Sequence, residues 1–150
     1  MAYESQIFFT LDTTCPWTYI AKKRLDKALA AHAQSPAAAQ VRFTIRFLPY
    51  QLHPDLPVRE QDSPAAEGML VAACVEAGLS EAEARVLVVE DRGGRGLAEV
   101  RRAIAEQRIN GVDSVPWILM EGRKRDITLV GAKDVAEYAK VVQTIVRESS

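Results

Sequence analysis

Ile7-Phe8-Phe9-Thr10-Leu11-Asp12-Thr13-Thr14-Cys15-Pro16-Trp17-Thr18-Tyr19-Ile20 carries a strand, a loop and a helix start in one short stretch. Ile7 to Leu11 is almost continuously apolar and rich in β-branched and aromatic residues, as a buried strand is, and Asp12-Thr13-Thr14 ends it. From Pro16 onward Tyr19, Ile20, Leu25 and Leu29 recur at roughly helical spacing, with Lys22, Lys23, Arg24 and Lys27 left for a solvated face. A proline costs nothing in the first turn, where its N–H would be unpaired anyway. Cys15 therefore falls where a strand hands over to a helix, beside unpaired backbone N–H groups and the positive end of the helix dipole. That position favours thiolate over thiol, and the thiolate is the nucleophilic form. The plainer reading of the same residues is a small buried cysteine followed by a helix-starting proline.

Outward from this stretch, the first helix is expected to run to about His32, and residues 33–40, rich in Ala, Gln, Ser and Pro, read as a flexible surface loop. Val41 to Leu48 alternates with period two and gives a second strand with Val41, Phe43, Ile45 and Phe47 on one face. Residues 49–63 hold Pro49, Pro54 and Pro57 and read as irregular. Ser63-Pro64 then starts a helix closing at Gly78, with Met69, Leu70, Ala73, Cys74 and Ala77 on one side. Ser80-Glu81-Ala82-Glu83 matches a capping box and opens a short helix through Val89. Gly93, Gly94 and Gly96 separate it from a helix over about 97–109; no strand precedes them and no phosphate-loop lysine follows, so they read as a hinge. Val115 to Met120 is a strand entered through a proline, Glu121-Gly122 a turn, Ile127 to Val130 its partner, and about 132–146 a closing helix whose inner side holds Val135, Tyr138, Ala139, Val142 and Val146. The order is an α/β arrangement, β-α-β then helices then β-β-α.

With 150 residues, 48% hydrophobic and 26% charged, and a formal net charge of −1, the chain has the composition of one globular domain spanning 1–150, with a helical insertion at about 63–92. That balance gives no reason to expect nucleic acid or a membrane as partner. No basic leader precedes the short apolar run at Ile7, so the expected location is the cytoplasm, where Cys15 and Cys74 are reduced thiols rather than a disulfide. Cys74, on an apolar helix face, reads as a buried inert thiol. Two cysteines and two histidines at unrelated spacings suggest no metal site. His32 reads as a solvated histidine at a helix end without a function, and Arg92, Arg95, Arg101 and Arg102 as a solvated face.

Asp12 to Leu25, with Cys15-Pro16-Trp17-Thr18-Tyr19-Ile20-Ala21-Lys22 at its centre, resembles the FrnE-like branch of the DsbA family, whose pattern there is Asp-x-x-Cys-Pro-Trp-Cys-Tyr-Ile-Gly-Lys. Phe47-Leu48-Pro49-Tyr50-Gln51-Leu52-His53-Pro54-Asp55-Leu56-Pro57, Glu76-Ala77-Gly78-Leu79, Gly111-Val112-Asp113-Ser114-Val115-Pro116 and Val130-Gly131-Ala132 are similar to its later landmarks, in order. The resemblance implies a thioredoxin-like fold, thiol–disulfide chemistry, and kinship with kappa-class glutathione transferases and 2-hydroxychromene-2-carboxylate isomerases. It also implies that Val115-Pro116 is a cis-proline loop beside the cysteine, with the backbone of Val115 turned outward to pair an extended substrate or glutathione.

Two departures reshape the expected activity. Thr18 stands where the family has its resolving cysteine, which excludes a local two-cysteine cycle, while its hydroxyl can donate a hydrogen bond to the Cys15 thiolate. The segment between Pro57 and Glu76 is shorter than the family's insertion. The leading expectation is a monothiol oxidoreductase with no bound cofactor: Cys15 and Thr18 catalytic, Pro16, Trp17, His53, Val115 and Pro116 contacting substrate, and glutathione as co-substrate with its γ-glutamyl end near Gly131, Ala132 and Asp134. Non-redox chemistry on a small aromatic molecule (isomerisation, dehydration or cyclisation), with Trp17, Tyr19, Tyr50 and Trp117 as a pocket, is the alternative. A chaperone-like binding module is the third reading. The short insertion predicts uncovered apolar area, and with it a homodimer through Met69, Leu70 and Val86-Leu87-Val88-Val89.

Overall fold

A computed structural model describes residues 1–55, 64–90 and 95–149. Pro57, Ser63, Arg92, Gly93 and Gly94, on which parts of the sequence reading rest, lie outside the described residues, as does the side chain of Val89. The chain divides into two compact units, Met1–Leu52 with Ala103–Ser150, and His53–Arg102.

The first unit holds β1 (Tyr3–Leu11), α1 (Pro16–Ala33), a 3-10 turn (Pro36–Ala39) and β2 (Val41–Pro49). After a gap in sequence it continues with β3 (Trp117–Met120), β4 (Ile127–Val130) and α5 (Val135–Ser149). The strands form one sheet in the order β2-β1-β3-β4, with β1 and β2 parallel and the β1–β3 and β3–β4 pairs antiparallel. This is the thioredoxin-like arrangement that the β-α-β and β-β-α halves predict. Period two decides which residues meet: Ile7 and Phe9 of β1, Val41 of β2, and Ile118 and Met120 of β3 point to one face and pack against Ala21, Leu25 and Ala28 of α1 and Tyr138 and Ile145 of α5.

Residues 33–40 are less irregular than their composition suggests. Ser35 donates from both its N–H (2.8 Å) and its hydroxyl (2.7 Å) to the His32 carbonyl, and Pro36 then opens the 3-10 turn. His32 is also more than a solvated helix end, because its Nε2 lies 2.9 Å from the Val41 carbonyl oxygen and its ring stands edge-on to Phe43. A carbonyl only accepts, so Nε2 carries the proton in that contact.

The second unit contains α2 (Pro64–Glu76), α3 (Glu81–Arg85), a π-helical turn (Val86–Glu90) and the start of α4 (Arg95–Ile109), whose residues from Ala103 belong to the first unit. The capping box forms as expected: the Glu83 N–H donates to Ser80 Oγ at 3.3 Å and the Ser80 N–H to Glu83 Oε2 at 3.0 Å. In α2 the reading of Cys74 as a buried thiol does not hold. Met69, 66% exposed, and Leu70 face solvent, Val71 is buried, and Cys74 is half-buried rather than enclosed. The reason is compositional, since α2 is apolar nearly all round and its periodicity selects no face.

Tyr138 is completely buried, and the Lys133 N–H donates to its Oη at 3.3 Å. Burial pushes its phenol above the ordinary range, with Glu137 adding to the rise and the Lys133 N–H and Arg24 opposing it. Tyr3 is raised in the same direction, by burial first and then by Glu121 and Asp126. The folded state therefore holds these protons more tightly than the unfolded chain. Their contribution to stability is full below the ordinary tyrosine value of ~10 and is lost as pH rises through and above it. Tyr138→Phe is expected to cost about 1 kcal/mol at neutral pH, by orphaning the Lys133 N–H. It should also flatten the alkaline decline, so that melting curves of variant and parent converge above pH ~10.

Candidate functional site

Sheet register assembles the site. Thr10 pairs with Trp117, Trp117 with Val130, and Leu11 with Pro49, so the residues just after β1, β2 and β4 and just before β3 gather at one end of the sheet. Cys15, Val115-Pro116, Gly131 and Tyr50 occupy that end.

The loop after β1 is held by a residue to which the sequence reading gave no role. Asp12, buried, accepts from the Thr14 N–H (2.9 Å) and the Thr14 hydroxyl (2.8 Å) at Oδ1, and from the Leu52 N–H (2.8 Å) at Oδ2. The Cys15 N–H donates to the Asp12 carbonyl at 3.0 Å. One carboxylate thus fixes the turn that presents Cys15 and ties it to the chain leaving β2. The local half of this was legible in Asp12-Thr13-Thr14 as a side-chain turn, whereas the bond to Leu52 joins residues far apart in sequence.

Cys15 is the N-cap of α1, with extended backbone (φ −86°, ψ 113°), and its side chain makes no capping bond. No acidic residue stands in the first turn to compensate the positive helix end. Sγ, 7% of the residue being exposed, lies 3.9 Å from the Val115 carbonyl oxygen, a weak thiol contact across the sheet end. The Val115–Pro116 peptide is cis. Among the described residues the Val115 N–H has no hydrogen-bond partner, and the residue is half-exposed. Thr18 sits at the third helical position, only 5% exposed, and its Oγ1 is the one buried side-chain polar atom without a partner among the described residues. A buried hydroxyl without a partner thus lies in the first helical turn after Cys15.

Around this centre Pro16 and Trp17 are exposed, Trp17 at 59%. Tyr19 is also exposed, its hydroxyl donating to the Thr13 carbonyl at 3.1 Å. Tyr50 and Trp117 are half-buried, with the Arg108 guanidinium 5.7 Å from the Tyr50 ring centre. Arg108 also donates to the Gln51 carbonyl at 3.1 Å, and the Thr10 hydroxyl donates to Gln107 Oε1 at 3.3 Å, so the end of α4 closes this side. Gly131, in the left-handed region at φ 80°, donates its N–H to the Pro116 carbonyl at 2.9 Å, which joins the start of the last helix to the proline loop. Ala132 follows, and Asp134 caps α5 in a reciprocal pair: the Glu137 N–H donates to Asp134 Oδ1 at 2.8 Å and the Asp134 N–H to Glu137 Oε2 at 3.2 Å. His53 is exposed and belongs to the second unit. The structure therefore brings Cys15, Pro16, Trp17, Thr18, Val115, Pro116 and Gly131 together at one sheet end. An apolar concavity of about 240 Å³ lies away from them, at the far end of α1 between Ala28, His32, Ala139, Val142 and Val146.

No family model and no curated protein sequence matches this chain. Among solved structures it is similar to a probable DsbA oxidoreductase from Streptomyces coelicolor, at 17% identity and a TM-score of 0.68, over 96% of this chain and 91% of that one. A protein from Nitrosomonas europaea proposed to be a protein disulfide isomerase overlays more loosely, at a TM-score of 0.47 and 12% identity over 98% of this chain and 100% of that one. A thioredoxin from Malassezia sympodialis overlays at 0.37 and 11%, over 99% and 80%. The first of these carries the fold: the chain has a thioredoxin-like α/β fold. No helix among the described residues is long and apolar enough to cross a membrane.

Proposed function

We propose that this protein is a monothiol thiol–disulfide oxidoreductase that uses Cys15 as nucleophile and glutathione as second thiol. The observation that carries the reading is the placement of the Cys15 thiol at the N-cap of α1, whose first turn holds no acidic residue, 3.9 Å from the Val115 carbonyl, with no second cysteine in its motif. The Cys15 thiolate attacks the glutathione sulfur of a mixed disulfide; a sulfur–sulfur bond forms to Cys15 and the substrate leaves as its thiolate. A glutathione thiolate then attacks the glutathione sulfur held on Cys15, releasing glutathione disulfide and restoring the Cys15 thiolate. The mixed disulfide gains two electrons and the two glutathiones lose them.

Each neighbouring residue has a task in this scheme. Thr18 turns its unpartnered hydroxyl to the sulfur anion in either half-reaction. The unpaired Val115 N–H and its carbonyl take the extended backbone of the substrate or of glutathione, as an added strand does. Trp17 and Pro16 offer exposed apolar surface to the leaving group. The γ-glutamyl end is placed near Gly131, Ala132 and Asp134. There the ammonium of that end suits the Asp134 carboxylate, since the Glu137 N–H is already taken by Asp134 itself. A reducing glutathione pool is required, in keeping with a cytoplasmic location.

The test is reduction of a glutathionylated peptide by excess glutathione. Catalysed release of the free peptide thiol, one glutathione disulfide for each peptide, is expected. With glutathione limiting, mass spectrometry should find one glutathione on the Cys15 peptide and none on Cys74. Absence of both turnover and the Cys15 adduct would sink the proposal.

A further inference from the structure

β2 is an edge strand, paired to β1 on one side and to no strand on the other among the described residues. Its backbone directions follow from two bonds. The Tyr3 N–H donates to the Gln40 carbonyl at 2.8 Å and the Tyr50 N–H to the Leu11 carbonyl at 2.7 Å, so even-numbered residues of this segment point their N–H and C=O groups at β1. Odd-numbered residues point theirs outward: Val41, Phe43, Ile45, Phe47 and Pro49. The His32 contact agrees with this, because it meets the Val41 carbonyl from outside, at 2.9 Å. The two ends of the open edge are thus already modified, the Val41 carbonyl being occupied by His32 and Pro49 lacking an N–H. Between them Phe43, Ile45 and Phe47 present donors and acceptors that have no partner among the described residues, and Phe47 is 53% exposed. Long, open edges of this kind are sites of strand pairing unless something blocks them.

We infer that this edge pairs with itself, joining two copies of the chain through antiparallel β2 strands centred on Ile45. In that register Phe43 faces the partner subunit's Phe47, Ile45 faces the partner's Ile45, and each pair exchanges both of its N–H···O bonds. Val41 faces the partner's Pro49, which has no N–H to give, and the Val41 carbonyl needs none because His32 supplies it. The aromatic pairs lie on the face shared with α1, and cross-strand aromatic pairs are favourable.

On the opposite face Thr44 meets the partner's Arg46, and Arg42, already 3.6 Å from Glu4, meets the partner's Leu48. Moving the centre to Thr44 would set Arg42 against the partner's Arg46 and ask the His32-bound Val41 carbonyl to accept again. Moving it to Arg46 would set that residue against its own copy and leave the Phe43 carbonyl facing a proline. Like charges directly opposite one another destabilise a strand pair, so charge and hydrogen bonding select the same register. This interface uses β2 in place of the Met69, Leu70 and Val86 to Val89 residues that sequence alone suggested.

The Thr44 side chain is exposed and makes no hydrogen bond among the described residues, which makes it the test position. Each substitution there acts in two symmetric pairs. Thr44→Arg sets like charges opposite the partner's Arg46 and is expected to weaken the dimer, and Thr44→Glu sets opposite charges there and is expected to strengthen it, each by about tenfold in Kd. Sedimentation equilibrium of the full chain reads both, with Leu87→Glu expected to leave the dimer intact. A monomer at every attainable concentration, or a dimer whose Kd is the same in both Thr44 variants, overturns the inference; so does a dimer that Leu87→Glu alone dissolves.

Discussion

Cys15→Ser is expected to remove reduction of glutathionylated peptide, by on the order of 10³-fold or more, while leaving the protein at least as stable as its parent. The two halves of that result come from the same geometry. A serine hydroxyl stays protonated at neutral pH and forms no sulfur–sulfur bond, so neither half-reaction can start. Yet Cys15 is an N-cap whose side chain makes no capping bond. Serine is among the preferred N-cap residues, able to accept from an unpaired first-turn N–H, and the gain is up to about 1 kcal/mol. Thermal unfolding of the variant therefore separates lost chemistry from lost structure. Full activity of Cys15→Ser on the physiological substrate would return the site to non-redox chemistry, in which residue 15 only positions a hydrogen bond.

How far the site could be read beforehand follows from which contacts are local. Cys15, Pro16 and Thr18 occupy one helix start, so their roles follow from spacing and from the rules of helix termini. Val115-Pro116 was reached by resemblance, and the antiparallel register of β1 with β3 explains why it lies beside Cys15. The missed residue, Asp12, shows the limit of such reading. Its turn with Thr14 spans two positions and is visible in the residue types, while its bond to Leu52 depends on the parallel register of β1 and β2. His32 was misread for the same reason, its partners Val41 and Phe43 lying on the next strand. The fold was legible because β1 is a continuous apolar run, β2 alternates with period two and α5 has a clean helical period; α2, apolar nearly all round, has none, and there Cys74, read as buried, is half-buried. The openness of the β2 edge is likewise a property of strand order, and only the placement of β2 outside β1 creates it.

Thr18→Cys is expected to turn a monothiol protein into a dithiol one. N-cap and third helical positions face each other across the first turn; the reciprocal bonds of Ser80 with Glu83 and of Asp134 with Glu137 show that relation twice in this chain. A thiol at position 18 therefore stands within reach of the Cys15 sulfur, in a site where the hydroxyl it replaces has no hydrogen bond to lose. Free cysteine is accepted readily in buried positions, so stability should change by less than about 1 kcal/mol. Chemically, the second thiolate attacks Cys15 in any mixed disulfide and expels the substrate thiolate, leaving a local disulfide on the protein. That disulfide can then oxidise a reduced dithiol protein, which takes on the new disulfide while both enzyme thiols are regenerated. The expected readouts are a glutathione adduct on Cys15 too short-lived to isolate, and newly acquired recovery of a reduced, disulfide-dependent protein in oxidised glutathione. Thr18→Val supplies the complementary arm. It removes only the unpartnered hydroxyl, so it should hold or raise stability while slowing attack by Cys15, because the sulfur anion loses its donor. If Thr18→Cys forms no local disulfide under oxidising glutathione and Thr18→Val leaves the rate unchanged, Thr18 does not face the reacting sulfur, and the site must be redrawn around Val115 and the helix end alone.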